Sequence, residues 1–157
     1  MDDTTKSIID RIIVRYQKPK PVPGGHECSV FYDCAQLSPN DLARLAAAAT
    51  GHLDHAAFHI AVGIAYNGIF FASAVAGGRQ VAILQKDGVV SGPSVKGKKV
   101  LLVSDVVCTG SEIKKAEDKI LAAGGNVVGY AAIIDRSDGK FGTDKKPFWS
   151  AYRTSLE

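Results

Sequence analysis

The sequence has few cysteines, little excess charge and no long uninterrupted apolar run. Its three cysteines, Cys28, Cys34 and Cys108, form no CxxC pair, which excludes a disulfide framework and a cysteine zinc site and favours a reducing cytoplasm. The net charge of +3 is too small to indicate nucleic-acid binding, although it suits small anionic ligands. The apolar stretches are interrupted by Gly, Asn and Tyr, so we expect no transmembrane span, and the acidic start MDDTTKS is not typical of a signal peptide.

The 157 residues, 46% of them hydrophobic, are enough for one domain with a full core. The spacing of apolar residues predicts a helix over 4–16, followed by the proline-rich segment 17–25, which must be extended or turned. A second helix is expected between Ser38 as N-cap and Gly51 as stop. From there strands and helices alternate up to a final strand in the tail, KPFWSAYRTSL. This order predicts an α/β fold with a mainly parallel, twisted sheet covered by helices on both faces.

The stretch VLLVSDVVCTGSE, residues 100–112, begins as a buried strand that we expect to end at Val103. The residues after it form a turn rich in small polar side chains, and a helix begins near Gly110 or Ser111. In a doubly wound sheet such a turn lies at the ligand-binding rim, and the free N–H groups of a helix start favour a phosphate. The carboxylate of Asp105 would repel a phosphate but could hold sugar hydroxyls or a metal ion. The same residue types also serve as ordinary turn and capping residues, so the local pattern alone leaves both interpretations open.

The same stretch resembles the phosphoribosyl-diphosphate (PRPP) signature of type I phosphoribosyltransferases, an apolar strand followed by two acidic residues, two apolar residues and a Thr-Thr-Gly variant. Ser104 stands where the first acidic residue is usual. The resemblance implies that Asp105 is catalytic and holds the ribose. It implies a binding segment for the ribose and 5′-phosphate made of Ser104, Asp105, Val106, Val107, Cys108, Thr109, Gly110 and Ser111.

Upstream, FHIAVGIAYNGIFFASAVA resembles a segment of orotate phosphoribosyltransferases whose turn binds diphosphate. That resemblance implies a diphosphate-binding loop made of Ala65, Tyr66, Asn67 and Gly68. Asn67 stands where a lysine is often found. Lys86 matches the lysine of the family's Arg-Lys pair and is the second implied catalytic residue, while Gln85 replaces the arginine.

Two further segments resemble those that border the base in orotate enzymes. AAIIDRSDGK is similar to the family's strand ending in Asp-Arg, which makes Arg136 the implied base-binding residue. CSVFYDCAQL resembles an aromatic segment near the base, so Phe31 and Tyr32 are implied to border it, with Cys28 in the place of a lysine.

Together the resemblance covers roughly residues 26–137 and implies a type I phosphoribosyltransferase fold with a small N-terminal hood. We expect a single domain over 1–157, with residues 1–37 forming the N-terminal helix and hood segment and 38–157 the α/β core. The implied activity is a glycosyltransferase of pyrimidine biosynthesis, which joins a pyrimidine-like base to PRPP and releases diphosphate. The implied Mg²⁺ is bound mainly through PRPP, with Asp105 as the one candidate protein ligand. The implied partners are PRPP and a small base or nucleotide monophosphate, in a cytoplasmic homodimer without membrane or nucleic-acid contact.

The sequence also departs from the family in ways that affect catalysis. Orotate enzymes carry a long mobile loop with a lysine and a histidine after the Arg-Lys pair, whereas here Lys86 is followed by DGVVSGPSVKGKK and the next strand. Transfer from PRPP needs positive charge on the leaving diphosphate, and Ser104, Asn67 and Gln85 are altered as well. The competing hypothesis is therefore a catalytically weak or inactive regulatory protein that binds PRPP or a nucleotide. A third, weaker one is an RNA-binding regulator, which would require a clustered basic face.

Several other polar residues have a structural interpretation beside a functional one. His52, His55 and His59 have a spacing that invites a metal site, but Gly51 separates them from the preceding helix, which favours structural roles. Cys108 could be a reactive thiol or could replace a hydroxyl in the phosphate site, and we favour the second. Asp135 could be an acceptor at the strand end or a support for Arg136, and the sequence leaves this open.

Overall fold

The computed structural model describes residues 1–22 and 25–156, and a six-stranded sheet forms its centre. The strand order is β5-β4-β3-β6-β7-β8, and all neighbouring pairs are parallel except the antiparallel pair β4–β5 at one edge. This confirms the predicted, mainly parallel sheet. The strands are β3 (Ile60–Ile64), β4 (Gln80–Leu84), β5 (Val90–Ser91), β6 (Lys99–Val107), β7 (Asn126–Asp135) and β8 (Phe148–Arg153).

Helices cover both faces of this sheet, as the strand–helix alternation predicted. Alternate side chains of β6 point to opposite faces, so Leu101 and Val103 join one core cluster and Val100 and Leu102 the other. The first cluster contains buried residues of three helices, and the second contains buried residues of the fourth. The helices are α1 (Asp3–Arg11), α2 (Pro39–Thr50) and α3 (Asn67–Val75) on the first face and α4 (Ser111–Ala122) on the other. Within residues 1–22 and 25–156, no helix combines the length and apolar character needed to cross a membrane.

The boundaries of α2 follow the signals in its sequence. The Ser38 side chain accepts a hydrogen bond from Asp41 N, and the Asp41 carboxylate accepts one from Ser38 N, which completes a capping box. At the other end, Gly51 is the C-cap. Both predicted boundary residues of this helix are therefore confirmed.

The N-terminal helix is shorter than its sequence pattern predicts. Helical spacing predicts a helix up to residue 16, but α1 ends at Arg11 and strand β1 (Ile13–Val22) follows at once. The backbone of β1 pairs in antiparallel fashion with β2 (His26–Tyr32), for example Arg15 with Val30, and this pairing replaces the helical hydrogen bonds. The predicted extended or turned segment 17–25 lies largely in β1, although Pro23 and Gly24 lie outside the described residues.

The carboxyl ends of β3 and β6 meet at the switch point of the sheet. From β3 the chain passes through α3 to β4 on one side, and from β6 it passes through α4 to β7 on the other. Because α3 and α4 cover opposite faces, the turns after β3 and β6 leave a crevice between them. Ligands of open α/β sheets bind at such a crevice, so this edge is where a site is expected.

Strand β6 is longer than the sequence predicts. The apolar run ends at Val103, but the ladder with β7 continues through Ser104 opposite Ala132 to Val107 opposite Asp135. Ser104 and Asp105 are therefore held in a strand, and the turn before α4 contains only residues 108–110. The predicted strand end was wrong because cross-strand pairing continues through polar residues that the hydrophobic pattern does not include.

Candidate active site

A cleft at the switch point brings together the residues predicted to bind ribose, 5′-phosphate and base. Its empty volume is about 730 Å³, including the part that opens to solvent. A volume of this size suits a small-molecule ligand. The cleft is lined by Val22, Phe31, Tyr32, Arg136 and every residue from 104 to 113.

The turn between β6 and α4 lines the cleft and leads into the first turn of α4. Gly110 is the N-cap residue of α4 and has the left-handed φ of 85°, which glycine adopts without strain. Ser111 N donates to Thr109 Oγ1 over 3.3 Å, and the Thr109 hydroxyl donates to Ser111 Oγ over 3.1 Å. The N–H groups of the first helical turn have no partner within the helix, so this turn is suited to bind an anion. We call residues 108–111 the phosphate turn.

Asp105 lies half-buried at the end of β6 and connects the two turns of the switch point. Its Oδ1 accepts hydrogen bonds from Val106 N at 2.8 Å and from Ser104 Oγ at 3.4 Å. Its Oδ2 accepts one from Asn67 Nδ2 at 3.4 Å, which is long for a hydrogen bond. The carboxylate is therefore only loosely held at the outer oxygen, which leaves that oxygen able to exchange Asn67 for a ligand hydroxyl.

Of the predicted diphosphate loop, Ala65 and Tyr66 form the turn after β3, whereas Asn67 and Gly68 are the first residues of α3. This segment passes close to β6 but lies beside the cleft. A Cβ added to Gly68 would be 2.7 Å from Val103 O, so only glycine allows the loop to approach β6 this closely. Lys86 Nζ lies 4.6 Å from the centre of the Tyr66 ring, which is 68% exposed, and Gln85 Nε2 donates to Ser91 Oγ. For the described part of the chain, the cleft wall does not include Ala65, Tyr66, Asn67, Gly68, Gln85 or Lys86.

Arg136 is a buried cation at the base end of the cleft. It is 3% exposed, its Nη1 donates to Val30 O at 2.7 Å, and its guanidinium carbon lies 5.5 Å from the centre of the Tyr32 ring. Its Nε is buried and has no hydrogen-bond partner among residues 1–22 and 25–156. A buried donor without a partner costs free energy, so this end of the cleft is suited to a ligand that carries an acceptor, above all an anionic one.

Asp135, next to Arg136 in the chain, is an acceptor at the strand end. Its Oδ1 accepts from Ser137 N at 2.7 Å and from Ser137 Oγ at 2.5 Å. Its Oδ2 accepts from Gly139 N and lies 3.2 Å from Arg153 Nε. This decides between the two interpretations of Asp135, because its carboxylate fixes the start of the following loop.

The Cys108 thiol lies in the wall of the cleft and is not activated. Burial raises its pKa to about 11, and the positive charge of Arg136 opposes this shift only in part. The thiol is therefore protonated at neutral pH and acts as a weak hydrogen-bond donor. The interpretation of Cys108 as a replacement for a hydroxyl agrees with this environment, and the interpretation as a reactive thiol does not.

In the parts of the chain that the structure covers, no group of three or more His, Cys, Asp or Glu residues could hold a metal ion. The ring of His59 has a structural role, because its Nδ1 accepts a hydrogen bond from Lys99 N at 2.9 Å, at the start of β6.

Sequence reasoning missed four residues that belong to the site or contact it. Val22, Glu112 and Ile113 line the cleft, and Phe141 packs against Gly110. Glu112 and Ile113 follow from the helix start predicted at Ser111, whose first turn had to border the same space. The sequence gives no comparable signal for Val22, which depends on how the β1–β2 hairpin docks, or for Phe141, which lies in an irregular loop.

Comparison with known proteins shows that this architecture is a familiar one. The orotate phosphoribosyltransferase of Caldanaerobacter subterraneus is 42% identical over 64 residues, which make up 40% of this chain and 32% of that protein. The orotate phosphoribosyltransferase of Chlorobaculum parvum is 27% identical over 135 residues, or 79% of this chain and 69% of that protein. The crystal structure of orotate phosphoribosyltransferase from Aeropyrum pernix superposes with a TM-score of 0.76 at 22% identity, covering 95% of this chain and 93% of that one.

The chain has the type I phosphoribosyltransferase fold. Its sequence similarity to orotate phosphoribosyltransferases confirms the resemblance that the motifs indicated. No protein-family model matches the chain. It spans about a third to a half of the length of the curated relatives that it matches at 42% and 38% identity. Within this phosphoribosyltransferase fold, the cleft at the switch point is the candidate active site.

Proposed function

We propose that the chain transfers the phosphoribosyl group of PRPP to a pyrimidine-like base and releases diphosphate. The observation that carries this proposal is the convergence of three features in one cleft: the phosphate turn, the Asp105 carboxylate and the buried Arg136. Sequence similarity to orotate phosphoribosyltransferases supports the reaction class.

In the proposed complex each part of PRPP meets a different element. Residues 106–111 bind the 5′-phosphate through backbone N–H groups, and Asp105 holds the ribose hydroxyls. The loop 65–68 and Lys86 bind the diphosphate, although Lys86 must first leave the Tyr66 ring to reach it. This assignment places the anomeric carbon of the ribose between Asp105 and the base.

The base would be held by Arg136 together with Phe31 or Tyr32. The buried Nε of Arg136 has no partner among the described residues, so a carboxylate or carbonyl oxygen on the base would satisfy it. The aromatic side chains form the apolar wall of the same cleft. An acidic pyrimidine such as orotate should therefore be preferred over a neutral one such as uracil.

The chemistry of the reaction assigns these residues their roles. As the bond to diphosphate breaks, positive charge develops on the ribose and negative charge on the leaving group. The Asp105 carboxylate stabilises the first, and Lys86 with the loop N–H groups stabilises the second. Val22, Phe31 and Tyr32 of the hairpin β1–β2 already line the cleft and would limit the access of water to the reacting atoms.

We expect Mg²⁺ to bind at this site together with PRPP. Mg²⁺ is bound through one or two carboxylates plus substrate phosphate oxygens. Asp105 supplies one such carboxylate, with an outer oxygen held by a single 3.4 Å contact. When bound, the ion would neutralise part of the charge on the leaving diphosphate.

We further propose that the protein acts in the cytoplasm as a homodimer. The cysteines of the described residues are all free, which suits a reducing compartment. Tyr66, within the diphosphate loop, and Phe70, in the following helix α3, are large and exposed, and a second copy that covered them would also shield the loop.

The alternative is a protein that binds PRPP or a nucleotide without efficient turnover. The observation that favours it is the state of the diphosphate side, where Lys86 lies on Tyr66 and Gln85 on Ser91, and neither residue lines the cleft. Such a protein would bind the 5′-phosphate and ribose normally and would fail to stabilise the leaving group.

The deciding experiment measures diphosphate release from PRPP with orotate or uracil, in the presence of Mg²⁺. We expect release with orotate, and a decrease of about a hundredfold or more in Asp105→Asn, because removing one positioned group from a transition state costs about 2.7–4 kcal/mol. Asp118→Asn, the same change at an exposed position of α4, is the matched control. Binding of PRPP without release for any base would support the alternative, and absence of PRPP binding would refute both.

A further inference from the structure

The ring of Phe141 lies directly against the phosphate turn, although Phe141 is not part of the cleft wall. Phe141 belongs to the loop that follows β7. A Cβ built on Gly110 would overlap this ring, whose Cγ lies 3.2 Å from that position. The ring therefore fills the space behind the one residue of the turn that has a left-handed backbone.

Phe141 is itself held from several sides. Its ring centre lies 4.9 Å from that of Tyr130 and 5.4 Å from that of Phe148, the latter in an edge-to-face arrangement. Its backbone N donates to Ser137 Oγ at 3.1 Å, and that hydroxyl donates to the buried Asp135. These contacts fix both the ring and the loop that carries it.

The contacts behind Tyr130 lead back to α4. The Tyr130 hydroxyl donates to the buried Glu117 carboxylate, 2.7 Å from Oε2, and Lys146 Nζ lies 3.2 Å from Oε1. Burial raises the pKa of Tyr130, and the hydrogen bond to Glu117 adds to this, so the hydroxyl remains a donor. Glu117 lies on α4, the helix whose first turn would bind the phosphate. A continuous set of contacts thus runs from the body of α4 through Tyr130 and Phe141 to Gly110.

We propose that Phe141 is a positioning residue, which holds Gly110 in the conformation that directs the N–H groups of the phosphate turn at a 5′-phosphate. This inference rests on the proposed function, because it needs a phosphate-bearing ligand in the cleft. Without the ring, Gly110 is free to sample other backbone conformations, and a ligand must then order the turn as it binds. Removal of the ring should therefore weaken binding of the phosphate group and not of the base, since the base contacts Arg136 and the hairpin instead.

An ordinary core role for Phe141 makes a different prediction. In that case its removal lowers the free energy of unfolding and leaves the relative affinities for different ligands unchanged. Uridine 5′-monophosphate and uridine differ only in the phosphate, so their two affinities separate the roles.

The experiment measures both affinities by calorimetry for the wild type, Phe141→Leu, Phe141→Tyr and a matched control, Phe58→Leu. Phe58 is buried, packs on Arg79 and lies just before the start of β3, whereas the cleft lies at the carboxyl ends of the strands. We expect Phe141→Leu to lower the affinity for the monophosphate by about fivefold or more, which is about 1 kcal/mol. The affinity for uridine should stay unchanged. Phe141→Tyr retains the ring and should bind like the wild type, as should Phe58→Leu.

The outcomes separate this inference from the proposed function. If the wild type binds the monophosphate no better than uridine, the phosphate turn does not bind phosphate and the proposed function fails with the inference. If the wild type prefers the monophosphate but Phe141→Leu keeps that preference, Phe141 is a core residue only. The inference also fails if Phe141→Tyr loses as much affinity as Phe141→Leu, because ring packing would not be the cause.

Discussion

The turns that follow β6 and β3 lie side by side at the switch point, and they differ in how ready they are for a ligand. The turn after β6 lines the cleft with every one of its residues, and its N-cap is braced by Phe141. After β3, a short turn leads into α3, whose Gly68 approaches β6 closely and whose neutral Asn67 contacts Asp105. The ammonium group of the nearby Lys86 lies over the Tyr66 ring. The first region thus supports the proposed binding of a sugar phosphate, while the second offers little positive charge for the proposed binding of diphosphate.

This difference indicates that binding and catalysis have separate requirements here. Under the proposed function, ground-state affinity for a phosphoribosyl group would depend on the β6 side, whereas the rate would depend on charge that meets the leaving group on the β3 side. Substitutions that act on only one of the two turns can test this division.

Among the ligand affinities, the largest change is expected from Gly110→Ala, which disrupts the β6 side. A side chain there must adopt a left-handed backbone, at a cost of about 1–2 kcal/mol, and would also overlap Phe141. Affinity for uridine 5′-monophosphate should fall by at least about tenfold, since each charge-assisted hydrogen bond lost contributes about 1.5–3 kcal/mol.

Calorimetry checks this prediction, with Gly68→Ala as the comparison on the β3 side. A Cβ on Gly68 would press against Val103 O, so that variant should lose affinity for diphosphate while it keeps affinity for the monophosphate. If each variant lost affinity for both ligands equally, the assignment of the monophosphate to the β6 side and of diphosphate to the β3 side would be contradicted.

An intermediate effect is expected from Asn67→Lys, which adds a charge on the β3 side. The new ammonium group should tighten diphosphate binding by about tenfold, because a hydrogen bond to a charged group contributes about 1.5–3 kcal/mol. Asn67→Gln, which keeps the amide and adds no charge, serves as the control. Titration of both variants with diphosphate is the measurement, and matching affinities would show that charge is not what this turn lacks.

The smallest effect is expected from Cys108→Ser on the β6 side. A protonated thiol and a hydroxyl are both neutral donors, so the affinity for the monophosphate should change by less than about threefold, within the range of one neutral hydrogen bond. In the native wild type, alkylation of Cys108 at pH 7.5, followed by mass spectrometry, should be slow, because its raised pKa of about 11 keeps the thiolate scarce.

The contribution of Cys108 to the stability of the fold should decrease as the pH rises. A raised pKa stabilises the fold while the thiol is protonated, so this contribution is present below the ordinary value of 9.0 and is lost as the pH rises toward about 11. The wild type should therefore lose more stability than Cys108→Ser between pH 8 and pH 11 in chemical denaturation. Rapid labelling at pH 7.5 would show that the thiol is more exposed than its packing implies.

The sequence predicts the parts of the fold that depend on short-range patterns. The boundaries of α2 are predicted by Ser38 and Gly51. The buried apolar runs of β3, β6 and β7 predict a parallel sheet, because helices lie between them in the chain. The helix expected up to residue 16 failed since pairing of β1 with β2 is a long-range contact that periodicity does not encode. The end of β6 was placed too early for the same reason.

The candidate site follows a similar division. Asp105 and the phosphate turn could be predicted because strand, turn and helix start are adjacent in the chain. Phe141 could not, since it reaches Gly110 from a loop about thirty residues later, and only the packing of Tyr130 and Phe148 determines where that loop lies. Residues 65–68 of the predicted diphosphate loop lie at the carboxyl end of β3, and whether they bind a ligand stays a prediction.

The hydrogen bond from Arg136 Nη1 to Val30 O joins the N-terminal hairpin to the sheet, through a side chain whose Nε has no hydrogen-bond partner among residues 1–22 and 25–156. The same guanidinium group therefore holds the hairpin and is the proposed binding group for the base. If Arg136 binds the base as proposed, movement of its side chain toward that ligand would also act on β2, the strand that carries Phe31 and Tyr32. An engineer who wished to change the accepted base would need to provide the hairpin with a second attachment before altering this arginine.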